Sequence, residues 1–195
     1  MRAVRTGVGV VLLVAAVSTA QAQVEHPWLI RARGVVIAPN ASSNKGTNLD
    51  VTTNATIEVD INRYLTRNIS LELILATSGH EVKSGSASAG SVNVLPPTLL
   101  LQFRPATEGI SPYVGAGGNL TYFYGKSGGL DNLDLSTSFG WAVQAGIDVP
   151  LGGRGVFNID GKYVRIATDV ESSGTNVAHL KINPLVIGAG FGYRF

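Results

Sequence analysis

The chain has 195 residues, 45% of them hydrophobic, with no cysteine and with 15 basic against 13 acidic side chains. Without cysteine it has neither disulfide staples nor a thiolate metal site. The near-even charge balance gives no reason to expect a nucleic-acid partner.

The N-terminus reads as a secretory leader. Arg2 and Arg5 precede an apolar run from Val8 to Val17, and Ala20-Gln21-Ala22 is a small-x-small cleavage site. The run is too short to cross a bilayer as a helix and has the layout of a signal peptide. Residues 1–22 are therefore expected to be removed, leaving one domain, 23–195, that starts at Gln23. Both leader arginines belong to the 15 basic residues and no acid lies there, so the mature domain carries 13 of each sign. It contains no apolar stretch of the roughly 18 residues that a transmembrane helix needs.

Eight alternating segments follow. Alternate side chains of a strand point to opposite faces, so a period of two is the signature of a sheet with two different faces. In 28–38, Trp28, Ile30, Ala32 and Val36 share one face and Arg31 and Arg33 the other. In 55–64, Ala55, Ile57, Val59 and Ile61 alternate with Thr56, Glu58, Asp60 and Asn62. In 69–77, Ile69, Leu71, Leu73 and Leu75 oppose Ser70 and Glu72. Segment 94–103 puts Leu95, Pro97, Leu99, Leu101 and Phe103 opposite Thr98 and Gln102. Segment 112–124 is rich in glycine and aromatics. In 138–149, Phe139, Trp141, Val143, Ala145, Ile147 and Val149 face away from Gln144 and Asp148. In 156–166, Phe157, Ile159 and Tyr163 oppose Asn158, Asp160 and Lys162. The last segment, 185–195, starts near His179 and places Leu185, Ile187, Ala189, Phe191, Tyr193 and Phe195 opposite Val186, Gly188, Gly190, Gly192 and Arg194.

The connections alternate in length. Short turns are expected at 63–68, 104–111 and 150–155, and longer Ser-, Gly- and Asn-rich loops at 40–54, 78–91, 125–137 and 168–178. Strands of about ten residues fit a tilted transmembrane strand. The consistently apolar face needs a cover, which a bilayer provides. Unpaired backbone cannot stand in lipid, so the sheet must close. The expected fold is an all-β, eight-stranded antiparallel transmembrane barrel with short periplasmic turns and longer extracellular loops, in the bacterial outer membrane. A lipocalin-type barrel also has eight strands but usually keeps its outer face polar.

The sequence resembles the outer-membrane protein W (OmpW) family over essentially the whole mature chain. The resemblance is carried by Leu95-Pro96-Pro97-Thr98-Leu99, Pro112-Tyr113-Val114-Gly115-Ala116-Gly117, Gln144-Ala145-Gly146-Ile147-Asp148 and the ending Gly190-Phe191-Gly192-Tyr193-Arg194-Phe195. Asn183-Pro184 departs from the family's Asp-Pro. The resemblance implies a narrow, largely hydrophobic channel for small apolar molecules. Tyr193 and Phe195 also resemble the C-terminal sorting signal of outer-membrane barrels, which implies the barrel-assembly machinery as a partner. Outer-membrane lipid and lipopolysaccharide are the expected surroundings, and Lys45, Lys83, Lys126 and Arg165 near the loop rim would meet lipid phosphates.

Inward residues divide into two sets. A polar set of Arg31, Arg33, Glu58, Asp60, Glu72, Asp148, Asp160, Lys162 and Arg194, with Gln102, lies near the short-turn rim. Eight strands leave little interior room, so these charges are expected to pair. They either simply fill the barrel or form a periplasmic plug that turns a substrate sideways. An apolar set of Val35, Ile37, Ile74, Val94, Leu120, Tyr122, Leu180 and Ile182 is the expected channel lining. Pro96 and Pro97 remove two adjacent backbone donors and mark either a lateral gate or merely a strand start or bulge.

Enzyme chemistry is not expected. A lipid hydrolase would require His80 or His179 beside a serine and a carboxylate, and no compact constellation of that kind stands in the sequence. The histidines lack metal-site spacing, the glycines complete no dinucleotide fingerprint, and no cofactor or metal is expected. The competing reading is a non-transporting surface barrel whose loops bind lipopolysaccharide, a phage, a bacteriocin or a host surface.

Overall fold

Period-two alternation becomes a closed wall in the computed structural model, which describes residues 24–40, 42–43, 49–84, 87–105, 109–129, 133–172 and 175–195. The expected leader over 1–22, the start at Gln23 and the rim residue Lys45 lie outside the described residues. The barrel strands are β1 (Trp28–Ala38), β2 (Asn54–Tyr64), β3 (Ile69–Ala76, continued by Ser78–Ser84) and β4 (Ala87–Leu95, resumed at Thr98–Phe103). They continue with β5 (Ser111–Gly128), β6 (Ser138–Pro150), β7 (Gly155–Val164, continued by Ala167–Ser172) and β8 (Thr175–Lys181, resumed at Leu185–Arg194). Short segments Ser42–Ser43, Leu49–Val51 and Leu133–Leu135 extend the wall away from the short turns.

Each strand pairs antiparallel with its neighbours in sequence, and β1 pairs with β8 from Leu29 opposite Arg194 to Ala38 opposite Leu185. That last pairing removes both sheet edges. Both ends of the wall meet on the short-turn rim, where Trp28 N donates to Phe195 O at 3.0 Å and Phe195 N to Trp28 O at 2.9 Å.

Two stretches expected as long loops are largely strand. Ser78–Ser84 pairs with Ala87–Leu95, and Ala167–Ser172 with Thr175–Lys181. Serine and glycine gave these stretches a loop-like composition. The deciding signal is the sparse inward set Val82, Val92, Val94, Val170 and Leu180, all buried. Above the bilayer the outward face meets water, so half of each strand is free to be polar.

Burial is inverted relative to a soluble protein. Among the most completely buried side chains are Arg31, Arg33, Gln102, Glu72 and Asn62, while Phe139 is 84% and Phe191 64% exposed. Leaving a large apolar side chain in water forgoes about 1.5–3 kcal/mol relative to covering it. The exposed faces of β1 to β8 therefore require the bilayer as part of the fold.

The glycine face of β8 makes room for the interior. A Cβ at Gly190 would run into the Ala32 carbonyl, and one at Gly192 would stand 2.6 Å from Arg31 Cγ. Two arginines from one strand can lie across the lumen because the neighbouring strand presents hydrogen atoms there.

Candidate functional site: an apolar chamber above an ion-paired cluster

The polar set expected near the short-turn rim forms one connected cluster. Arg31 and Arg33 project inward from β1 among acids from β2, β3, β6 and β7. Arg31 Nε donates to Asp60 Oδ1 at 2.9 Å, Nη1 to Asp148 Oδ1 at 3.0 Å, and Nη2 to Glu72. Arg33 Nη2 lies 2.8 Å from both Glu58 Oε1 and Asp60 Oδ2, and Nη1 donates to Asn158 Oδ1 at 3.1 Å. Lys162 Nζ reaches Glu58 at 2.6 Å and Asp160 Oδ1 at 3.0 Å. None of these charged residues is more than 4% exposed. Charges taken so far from water persist only when paired and hydrogen-bonded.

The cluster contains a residue that the strand reading left out and lacks one that it included. Arg104, assigned to a turn, donates through Nη1 to Asp148 Oδ2 at 2.9 Å and through Nη2 to Gln102 Oε1 at 2.8 Å. Continuing the alternation of Leu100 and Gln102 by one step would have found it. Arg194 stands below the cluster instead, stacked over Tyr64 at 5.0 Å from the ring centroid. It is two positions beyond Gly192, at the end of β8, where the lumen widens into a cavity of about 650 Å³ rimmed by Arg67, Arg104, Arg154 and Arg194. Neutral groups complete the cluster: Gln102 Nε2 donates to Glu72 Oε2 at 2.7 Å, and Tyr113 Oη to Asp160 Oδ2 at 3.2 Å.

Above the cluster the inward face changes character within one strand step. On β1 the inward residues run Arg31, Arg33, Val35, Ile37; on β7 they run Asp160, Lys162, Val164, Ile166. A compartment of about 60 Å³ lies there, with Val35, Ile37, Ile74 and Val186 in its wall and Glu58 and Lys162 at its floor. It leads through shared residues Val94, Ile182 and His80 to an outer chamber of about 320 Å³, lined by Val51, Val82, Val92, Phe123, Val170 and Leu180.

Six of the eight expected lining residues stand along this path: Val35, Ile37, Ile74, Val94, Leu180 and Ile182. Leu120 and Tyr122 do not. They lie on the lipid-facing side of β5, with Tyr122 44% exposed, while Asn119 and Thr121 are buried and Phe123 lines the chamber. The phase of β5 is set by Tyr113, 2% exposed. Gly115, Gly117 and Gly118 carry no side chains that would have revealed it. Trp141 faces outward, 5.7 Å from the Tyr163 ring, as an aromatic at a membrane interface does.

The wall is weakest beside the small compartment. Between β3 and β4 the pairing runs up to Ile74 opposite Thr98 and resumes at Ser78 opposite Val94. Pro96 and Pro97 occupy that interval and supply no N–H. On the β5 side the same carbonyls are held: Leu120 N donates to Pro97 O at 3.0 Å, and Asn119 Nδ2 reaches Pro96 O at 3.3 Å. The interruption before Pro184 in β8 is likewise stitched, by Ile182 N to Ile166 O at 2.9 Å and Val164 N to Pro184 O at 3.1 Å. The two proline interruptions thus differ, and only the one in β4 borders a gap in a strand ladder among the described residues.

His80 lies inside the barrel. Its Nδ1 is 2.8 Å from Thr52 O and its Nε2 2.9 Å from Ser78 Oγ. His179 Nδ1 is 2.9 Å from Asp169 Oδ1.

The OmpW family model matches residues 27–195. Outer membrane protein W of Vibrio cholerae serotype O1 is 32% identical, over 94% of this chain and 96% of that protein. An uncharacterized outer-membrane protein, y4mB of Sinorhizobium fredii, is 34% identical over 87% of this chain and 80% of its own length. The crystal structure of OprG from Pseudomonas aeruginosa superposes with a TM-score of 0.77 at 26% identity, covering 86% of this chain and 95% of that one. With the closed eight-stranded wall and its apolar exterior, these matches make the chain an outer-membrane β-barrel that belongs to the OmpW family.

Proposed function

We propose that the barrel passively conducts small hydrophobic molecules across the outer leaflet and releases them sideways into the bilayer. The observation that carries this reading is the join between the two interior regions. An apolar path ends on a filled, ion-paired floor, and the wall beside that floor is the interrupted β3–β4 ladder. A molecule that has shed its water in the chamber meets charges below, where entry costs desolvation of both partners. Leaving through the wall keeps it in apolar surroundings throughout.

Pro96 and Pro97 are the gate in this reading, and the Arg31–Arg33 cluster is the plug. Residues 1–22 direct export and are removed. Tyr193 and Phe195 present the last strand to the barrel-assembly machinery, and lipopolysaccharide surrounds the outer rim. No catalytic step and no cofactor are part of the proposal.

The test is octane uptake by cells lacking the protein, with and without its re-expression at verified surface abundance. Faster uptake on re-expression is expected. Equal uptake for several apolar compounds would defeat the transport reading and leave the fold untouched.

A further inference from the structure

We infer that Ser78 and His80 form a head-group subsite that selects hydrophobic molecules carrying one neutral hydroxyl, such as medium-chain alcohols. The inference rests on the transport reading and names a substrate class for it.

His80 stands at the junction of the two compartments and is 5% exposed. Its Nδ1 faces the Thr52 carbonyl, which can only accept, so Nδ1 carries the proton. Nε2 of the neutral ring is then an acceptor, and the Ser78 hydroxyl must donate to it at 2.9 Å. This fixes the remaining capacity of the pair. Ser78 Oγ has spent its hydrogen and keeps its lone pairs, so it accepts from a ligand that brings a donor.

The other polar groups of the small compartment are already engaged within the barrel. Thr98 Oγ1 already donates to Pro96 O at 3.0 Å and accepts from Asn119 Nδ2 at 2.8 Å. Lys162 and Glu58 are tied to each other. A paired floor gives no net attraction to a charged head group, whereas a hydroxyl gains a hydrogen bond in a site that excludes water. Size agrees: the lower compartment, about 60 Å³, admits a head group of a few atoms, and the chamber of about 320 Å³ holds the apolar body. Ser78 is also the first residue of the resumed β3–β4 pairing, so a bound hydroxyl stands at the edge of the gap beside Pro96.

The test compares three probes of similar size in cells expressing the native barrel, His80→Leu or the double variant Ser78→Ala/His80→Leu: hexane, 1-hexanol and methyl pentyl ether. The ether has an oxygen but no donor. Protein-dependent uptake of 1-hexanol should exceed that of the ether in the native barrel. Either variant should reduce that preference by about fivefold, the worth of one hydrogen bond, with each variant's own hexane uptake as the reference. Hexane uptake with an unaltered alcohol preference in the double variant would overturn the subsite and spare the transport reading. Absent hexane uptake by the native barrel would instead overturn the transport reading. The subsite is then judged by the His80 imidazole nitrogen resonances of the barrel in lipid nanodiscs. They should shift on adding 1-hexanol and not on adding the ether; equal responses would reject it.

Discussion

The plug and the chamber lie at two levels of one barrel wall, with the small apolar compartment between them, and are held together by different forces. In the plug the inward positions carry long charged side chains that cross the lumen and satisfy one another. In the chamber they carry Val, Leu and Phe that pack in small clusters on the wall and leave about 320 Å³ of space. The strand ladders hold the chamber open, and it contributes little to stability. The plug closes the barrel but fails badly if one member is removed. One architecture thus separates the part that fixes the fold from the part that leaves open space.

The largest effect should come from breaking the plug. Arg31→Met leaves Asp60, Glu72 and Asp148 facing an apolar side chain, and about 3–5 kcal/mol of stability should be lost. Urea unfolding in lipid vesicles reads this, and a loss below about 1 kcal/mol would mean that water enters the plug freely. The chamber should respond in the opposite sense. Leu180→Trp fills empty space next to Val51 and Val170, which pack with Leu180. Stability should change by less than about 1 kcal/mol, within the range of tolerated core changes, while octane uptake falls at least about tenfold. A large stability loss with uptake intact would reverse the assignment of the two regions.

A smaller effect is expected at their join. Replacing Pro96 and Pro97 by Val restores one donor toward β3 and one toward β5, so the ladder should close at Ala76, whose amide should exchange with deuterium more slowly, and uptake should fall several-fold. Unchanged uptake with slowed exchange would remove the prolines from the path. The smallest difference separates the two faces of β5. Tyr122→Ala, on the lipid face, should leave uptake within about twofold, whereas Phe123→Ala, in the chamber wall, should alter it; equal effects would contradict the β5 phase.

The transmembrane half of the molecule was legible in the sequence because lipid imposes a strict rule. Every outward residue must be apolar, so Ile57, Val59 and Ile61 against Glu58 and Asp60 mark both the strand and its orientation. The ion-paired cluster followed from the same alternation, except at Arg104 and Arg194, where strand ends hide the phase. Legibility fell above the membrane. There the outside is water, polar residues occupy both faces, and Ser78–Ser84 and Ala87–Leu95 resemble loops. Much of the chamber lining, with His80, lay in those stretches. The interruption was visible as Pro96-Pro97, but which side of β4 is loose was not: that depends on Asn119 and Leu120 holding the β5 side.

Sideways release is tested most directly by tying the loose wall shut without touching the prolines. The chain has no cysteine, so Thr77→Cys and Leu95→Cys would be its only thiols. They lie opposite each other in the unpaired interval between β3 and β4. A short bifunctional maleimide should abolish octane uptake in this double variant, while a monofunctional maleimide should leave most of it. Undiminished uptake through a cross-linked wall would contradict lateral release between β3 and β4.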